Sequence, residues 1–172
     1  MKKELRKKLL NIRKELSKLE VSNYSKNIIN IIKNSQEFKD AMVIGLYYPI
    51  KNEVDLLELL KENKTYCFPR VSGDEMDFYL VNSLDDFHLG SFDVLEPNFD
   101  LKKIEKNEMD IIYIPCVGMS NKGYRIGYGK GYYDKYLKNY QNRKIAVCYN
   151  FQIVDENFEE EFDVKIDEII SN

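Results

Sequence analysis

Leu5, Leu9, Ile12, Leu16 and Leu19 recur at alternating intervals of four and three residues, which aligns them along one side of a helix. Ser22 then stands as the cap of a second helix carrying Ile28, Ile29, Ile31 and Ile32. From there the period changes. Met42 to Tyr48 is an unbroken apolar run ended by Pro49, the pattern of a strand buried on both faces. Val54 to Leu60 reads as a helix with Glu53 at its entrance. Thr65 to Phe68 is a short strand stopped by Pro69, and Met76 to Val81 is another. Asp85 to Asn98, with Gly90, Glu96 and Pro97, keeps no regular period and reads as a long functional loop. Asp110 to Pro115 is a further buried strand, followed by a glycine-rich turn and a helix-like run from Tyr132 to Tyr140. Lys144 to Tyr149 and Glu168 to Ile170 supply the last strands.

Strands alternating with helices, two of them apolar throughout, predict an α/β fold. The expected form is a three-layer sandwich with a mostly parallel central sheet and helices on both faces. A chain of 172 residues is expected to form a single domain, residues 1–172. In such sheets ligands bind beyond the carboxyl ends of the strands. The segments after Tyr48, Phe68 and Pro115 would meet there.

Composition narrows the chemistry. An apolar fraction of 44% is that of a globular protein. A net charge of −3 argues against a general nucleic-acid binder, which needs a positive surplus to displace counterions. Cys67, Cys116 and Cys148 are odd in number and form no C-x-x-C pair, so neither a zinc site nor a disulfide framework is expected. The first residues lack the apolar core of a signal peptide, and no run has the length of a membrane span, so a cytoplasmic protein is expected. His88 is the only histidine and no nucleophile elbow is present, which disfavours Ser-His or Cys-His nucleophilic catalysis. Carboxylates, tyrosines and cations remain, a set suited to phosphoryl transfer, where catalysis is mostly positioning and charge neutralisation.

The cations gather around Gly123-Tyr124-Arg125-Ile126-Gly127-Tyr128-Gly129-Lys130-Gly131-Tyr132-Tyr133-Asp134. A glycine-rich turn entering a helix presents free N–H groups to an anion, and Arg125 and Lys130 add positive charge. Asp134 stands where it could hold a metal ion bound to the same phosphates. The spacing matches neither the dinucleotide fingerprint nor the P-loop. On spacing alone, a phosphate cradle and a tight turn capping an ordinary helix both fit. Lys2, Lys3 and Arg6 on their own read as a solvated helix face, and Glu53 as a favourable dipole partner.

The full string Arg-Ile-Gly-x-Gly-x-Gly-Tyr-Tyr-Asp closely resembles the signature of the 5-formyltetrahydrofolate cyclo-ligase (5,10-methenyltetrahydrofolate synthetase) family. Lys3-Glu4-Leu5-Arg6 with Lys2 resembles its N-terminal element, Gly90 with Glu96-Pro97 its Gly-to-Glu-Pro segment, and Asp163 to Asp167 its closing acidic stretch. The resemblance runs from Lys2 to Asp167 in the family's order. It departs from the pattern at Phe162, where many members have histidine, and at Tyr128, which is bulkier than usual.

The resemblance implies ATP- and magnesium-dependent closure of 5-formyltetrahydrofolate to 5,10-methenyltetrahydrofolate. ATP would meet Lys2, Lys3, Arg6 and the loop residues Arg125, Ile126, Gly127, Tyr128, Gly129, Lys130, Gly131, Tyr132 and Tyr133. Tyr48, Glu53 and Tyr132 would meet the folate; Lys130, Arg125 and Tyr132 would serve catalysis. Asp134 would hold Mg2+, with Asp163, Asp167 or neither as the second protein ligand. The expected partners are these small molecules, with no nucleic acid or membrane, and the protein a monomer or weak dimer. A nucleotide-binding regulatory domain without turnover is the competing class.

Overall fold

A computed structural model describes residues 1–172, the side chain of Ser91 excepted. The chain opens with helices α1 (Lys2–Lys14), α2 (Lys18–Asn34) and α3 (Gln36–Asp40). Strands β1 (Val43–Gly45), β2 (Thr65–Ser72) and β3 (Glu75–Val81) follow. A short hairpin, β4 (Phe87–Leu89) and β5 (Leu95–Pro97), precedes β6 (Lys103–Ile104) and β7 (Ile111–Pro115). Then come β8 (Gly118–Ser120), β9 (Arg125–Ile126), α4 (Tyr132–Leu137), β10 (Arg143–Cys148), β11 (Ile153–Val154) and β12 (Glu168–Ser171).

The central sheet has the order β12-β10-β7-β1-β2-β3-β6. Its first four pairings are parallel, and β3 and β6 add antiparallel at the far edge. Side chains alternate between two cores, as a period of two requires. Ile111, Tyr113, Ile145 and Val147 pack with α2 and α3 on one face. Ile112, Ile114, Ala146 and Cys148 pack with Tyr136 and Leu137 of α4 on the other. The sandwich is thus the expected one, a mostly parallel sheet covered on both sides. The three cysteines are free and buried.

A second, three-stranded sheet of β11, β8 and β9 lies past the carboxyl end of β7. Leu5 and Leu9 of α1 bury against it, beside Val117, Ile126 and Phe158. This packing sets the first turn of α1 next to the glycine-rich loop. The sequence offered no period for strands of two or three residues, and this sheet was not expected.

Four local expectations need correction. The first helix ends at Lys14, and Leu19 is 70% exposed on the next one. The break comes at Ser17, not Ser22, because Ser17 and Glu20 form a capping box: Glu20 N–H donates to Ser17 Oγ and Ser17 N–H to Glu20 Oε2. Val54 to Leu60 is no α-helix and holds only a 3-10 turn at Leu57–Lys61, opened by Leu57 N–H donating to Asp55 Oδ1. Finally, β2 runs straight through Pro69. Its parallel partner β1 ends at Gly45, opposite Cys67, so the missing N–H of Pro69 removes no bond from that ladder.

Candidate functional site

Beyond the carboxyl ends of β1, β2 and β7 lies a cavity of about 1140 Å³. Its wall gathers the expected side chains from distant parts of the chain: Lys2, Lys3 and Arg6 of α1, Tyr48 and Glu53 after β1, and the loop from Arg125 to Asp134. Ile126 alone in that loop faces away, fully buried in the core under α1.

The loop is held from inside. Arg125 is 6% exposed; its Nη1 donates to Pro115 O at 3.1 Å and its Nη2 lies 3.6 Å from Asp134 Oδ2. The guanidinium also stacks 5.1 Å from the Tyr133 ring centre. Gly127 leaves room for it: a Cβ there would stand 2.8 Å from Arg125 Nη1. Arg6 ties α1 to the loop, its Nε donating to Gly127 O at 2.7 Å. Gly129 and Gly131 take positive φ values of 99° and 72°, turns that side chains resist. Lys130 is exposed, its Nζ 5.6 Å from the Phe92 ring centre across the cavity mouth. Tyr132 donates its hydroxyl to Gly73 O in the β2–β3 turn.

Two polar atoms here are buried without a protein partner, Arg125 Nε and the Tyr133 hydroxyl. Unpaired buried polar groups are costly, and both residues line the cavity, where water or a ligand could supply the missing bonds. Burial pushes the Tyr133 phenol far above its ordinary value, with the Arg125 charge pulling the other way, so the hydroxyl keeps its proton.

Glu53 forms the opposite wall. It is 5% exposed and sits after two left-handed residues, Lys51 (φ 48°) and Asn52 (φ 61°). Non-glycine residues pay for that conformation, and here the neighbours enforce it. Asn52 Nδ2 donates to Arg13 O and Leu16 O, Tyr149 donates to Asn52 O, and Arg13 Nε donates to Lys51 O. The Glu53 carboxylate accepts from Ile50 N–H at 3.0 Å and from the Tyr128 hydroxyl at 3.1 Å. Burial raises its pKa; the Arg13 charge and these two hydrogen bonds oppose that rise. Ordered donors around a buried carboxylate that lines the cavity leave it able to accept a further pair of N–H groups.

Arg13 was not anticipated. It is 1% exposed at the end of the α1 stripe, four residues after Leu9, and donates to Lys51 O, Cys116 O and the Tyr128 hydroxyl. A charge standing in an apolar register was the available signal.

The acidic residues divide. Asp134 faces the cavity with only the Arg125 contact. Asp163 also lines it, but both its oxygens accept from Lys2 Nζ, at 2.8 and 2.7 Å. Asp167 lies elsewhere, bonded to Lys144 N–H at the start of β10. No cluster of three metal-ligating side chains occurs among the described residues. Magnesium is commonly held by one carboxylate together with substrate phosphates, and Asp134 fits that role. Arg70, in β2 just beyond Pro69, donates to Pro97 O and Asn98 O, and its guanidinium lies 3.7 Å from the Tyr79 ring centre.

The whole chain, residues 1–172, matches the model of the 5-formyltetrahydrofolate cyclo-ligase family. The chain belongs to this family. Among curated cyclo-ligases it is 33% identical to that of Mycoplasma genitalium, covering 99% of this chain and 98% of the relative. The cyclo-ligase of Mycoplasma pneumoniae is also 33% identical, over 98% and 96%. A solved 5,10-methenyltetrahydrofolate synthetase from Aquifex aeolicus superposes with a TM-score of 0.88 at 37% identity, over 99% of this chain and 89% of that one. In this cyclo-ligase-family chain, the glycine loop and Glu53 face each other across one cavity, joined by Tyr128.

Proposed function

We propose that this chain catalyses the ATP- and magnesium-dependent cyclisation of 5-formyltetrahydrofolate to 5,10-methenyltetrahydrofolate, releasing ADP and phosphate. One observation carries the reading. An anion cradle with two unsatisfied donors shares a cavity with a buried, preorganised carboxylate.

The formamide of the substrate is a poor electrophile and its oxygen a poor leaving group. The formyl oxygen attacks the γ-phosphorus, the bond to ADP breaks, and an iminium phosphate results. N10 then attacks the formyl carbon at intramolecular effective concentration. Phosphate leaves with the former formyl oxygen, and N10 loses its proton.

Each protein group has a place in this sequence. Glu53 accepts the amino-amide edge of the pterin, and Tyr48 packs against its ring. Arg6, with Lys2 and Lys3, and the loop N–H groups from Gly127 to Gly131 hold the triphosphate. Arg125 and Lys130 meet the charge on the transferring phosphoryl group, and Tyr132 and Tyr133 border the formyl group. Magnesium on Asp134 would neutralise phosphate charge; Asp163 serves through Lys2, whose ammonium it orients. No described helix is long and apolar enough to cross a membrane, and the reading places the enzyme in the cytoplasm, as a monomer or weak dimer.

Mixing the protein with MgATP and 5-formyltetrahydrofolate tests the proposal. Methenyl absorbance should rise with equimolar ADP release. ATP binding without methenyl formation would instead favour a regulatory nucleotide-binding domain.

A further inference from the structure

Tyr128 belongs to both halves of the cavity. Its backbone lies between Gly127, which receives the Arg6 hydrogen bond, and Gly129, whose φ of 99° shapes the cradle. Its hydroxyl accepts from the buried Arg13 and donates to Glu53 Oε1 at 3.1 Å. The ring is flanked by two cations, Lys51 Nζ at 5.3 Å and the Arg13 guanidinium at 5.7 Å from its centre. Arg13 in turn donates to Lys51 O, in the strained turn that presents Glu53, and to Cys116 O, just past β7. A continuous chain of hydrogen bonds therefore joins the glycine loop, α1 and the carboxylate.

We propose that Tyr128, held by Arg13, is a positioning residue that couples the two binding sites, so that folate on Glu53 and nucleotide on the glycine loop each tighten the other. The inference rests on the functional reading above, which assigns those two ligands. In the free protein one Glu53 oxygen is held by Tyr128 and the other by Ile50. A pterin edge that engages the same carboxylate fixes its orientation, and with it the tyrosine hydroxyl and the loop backbone at residue 128. A triphosphate on the loop fixes the same backbone from the other side. Whichever ligand arrives first bears the ordering cost for the second, and the linkage must be reciprocal.

Tyr128→Phe removes the hydroxyl and keeps the ring. Titration of 5-formyltetrahydrofolate into the protein, with and without a saturating non-hydrolysable MgATP analogue, measures the coupling factor. The reverse titration should return the same factor. In the unmodified protein the analogue should tighten folate binding by about fivefold or more, the lower range of measured couplings. In Tyr128→Phe the factor should fall toward one, whatever the variant's affinity for each ligand alone, because the hydroxyl that joins the loop to Glu53 is gone. A variant that keeps the full factor overturns the proposal. So does an unmodified protein that binds both ligands independently, while leaving the functional reading intact. Failure to bind either ligand would refute that reading, and the link with it.

Discussion

Gly127→Ala tests whether the placement of Arg125 is fixed by the loop. The added methyl would stand 2.8, 2.9 and 3.1 Å from three guanidinium atoms of Arg125. The guanidinium must move, and the move is not free. It would forfeit the bond to Pro115 O at 3.1 Å, worth about 1.5–3 kcal/mol for a charged donor, and disturb the stack on Tyr133. Overpacking of a filled site costs a similar amount, about 1–3 kcal/mol. For a chain of this size each kcal/mol lowers Tm by roughly 2–4 °C, so a fall of roughly 2–12 °C is expected. On the role proposed for Arg125, displacing this donor from the transferring phosphoryl group should cut kcat by about 10²–10³. Gly127 has no positive φ, so backbone strain does not contribute. Gly131→Ala is the contrasting variant: no atom lies within 4 Å of its Cβ position, but its φ of 72° penalises a side chain. It should lose stability by about 1–2 kcal/mol through strain, while Arg125 stays in place. Thermal unfolding and methenyl absorbance at saturating substrates provide both readouts. A Gly127→Ala protein with unaltered Tm and kcat would refute the claim that Arg125 is locked.

Lys130 is exposed at the cavity mouth and free to follow the phosphoryl group, so Lys130→Ala should lower turnover far more than folate affinity. Equal losses in kinetics and titration would restrict it to ground-state binding. Asp134→Asn should raise the magnesium concentration needed for half-maximal rate, and an unchanged requirement would remove Asp134 from the metal site. Glu53 has a raised pKa in the folded protein, chiefly from burial, so its ionised form gives way to the neutral acid at a higher pH than for an exposed glutamate. Folate affinity should therefore weaken as pH falls from neutral toward that raised value, and Glu53→Gln should bind weakly without this slope. By the same sign, Glu53 favours folding most below its unfolded pKa and loses that contribution as pH rises through the folded one.

Much of the architecture was legible because the central strands are apolar on both faces. Ile111 to Ile114 feeds two cores at once, and no polar residue interrupts it. The glycine loop and its cations were legible for a different reason: Gly129 and Gly131 take left-handed turns and Gly127 leaves room for Arg125, demands that few other settings bring together. The less visible parts depended on tertiary context. Ile12 and Leu19 kept a helical period, yet the Ser17–Glu20 capping box broke the helix between them, because local N–H satisfaction outweighed apolar spacing. Arg13 was marked only by a charge in an apolar register: it shares one face with Leu5 and Leu9, and only folding shows that it faces carbonyls and a phenol. The Lys2–Asp163 ion pair spans 161 positions, a distance over which no local pattern operates.

The wall of the cavity is drawn from the first turn of α1, the stretch from Tyr47 to Glu53, β2, the tip between β4 and β5, the glycine loop and the segment near Asp163. Such a cavity is not a portable cassette. No fragment of the polypeptide carries a usable share of it, and grafting the glycine signature onto a foreign scaffold would transplant a turn without its chemistry. A single nick in any connecting segment could silence turnover while most of the central sheet stayed assembled.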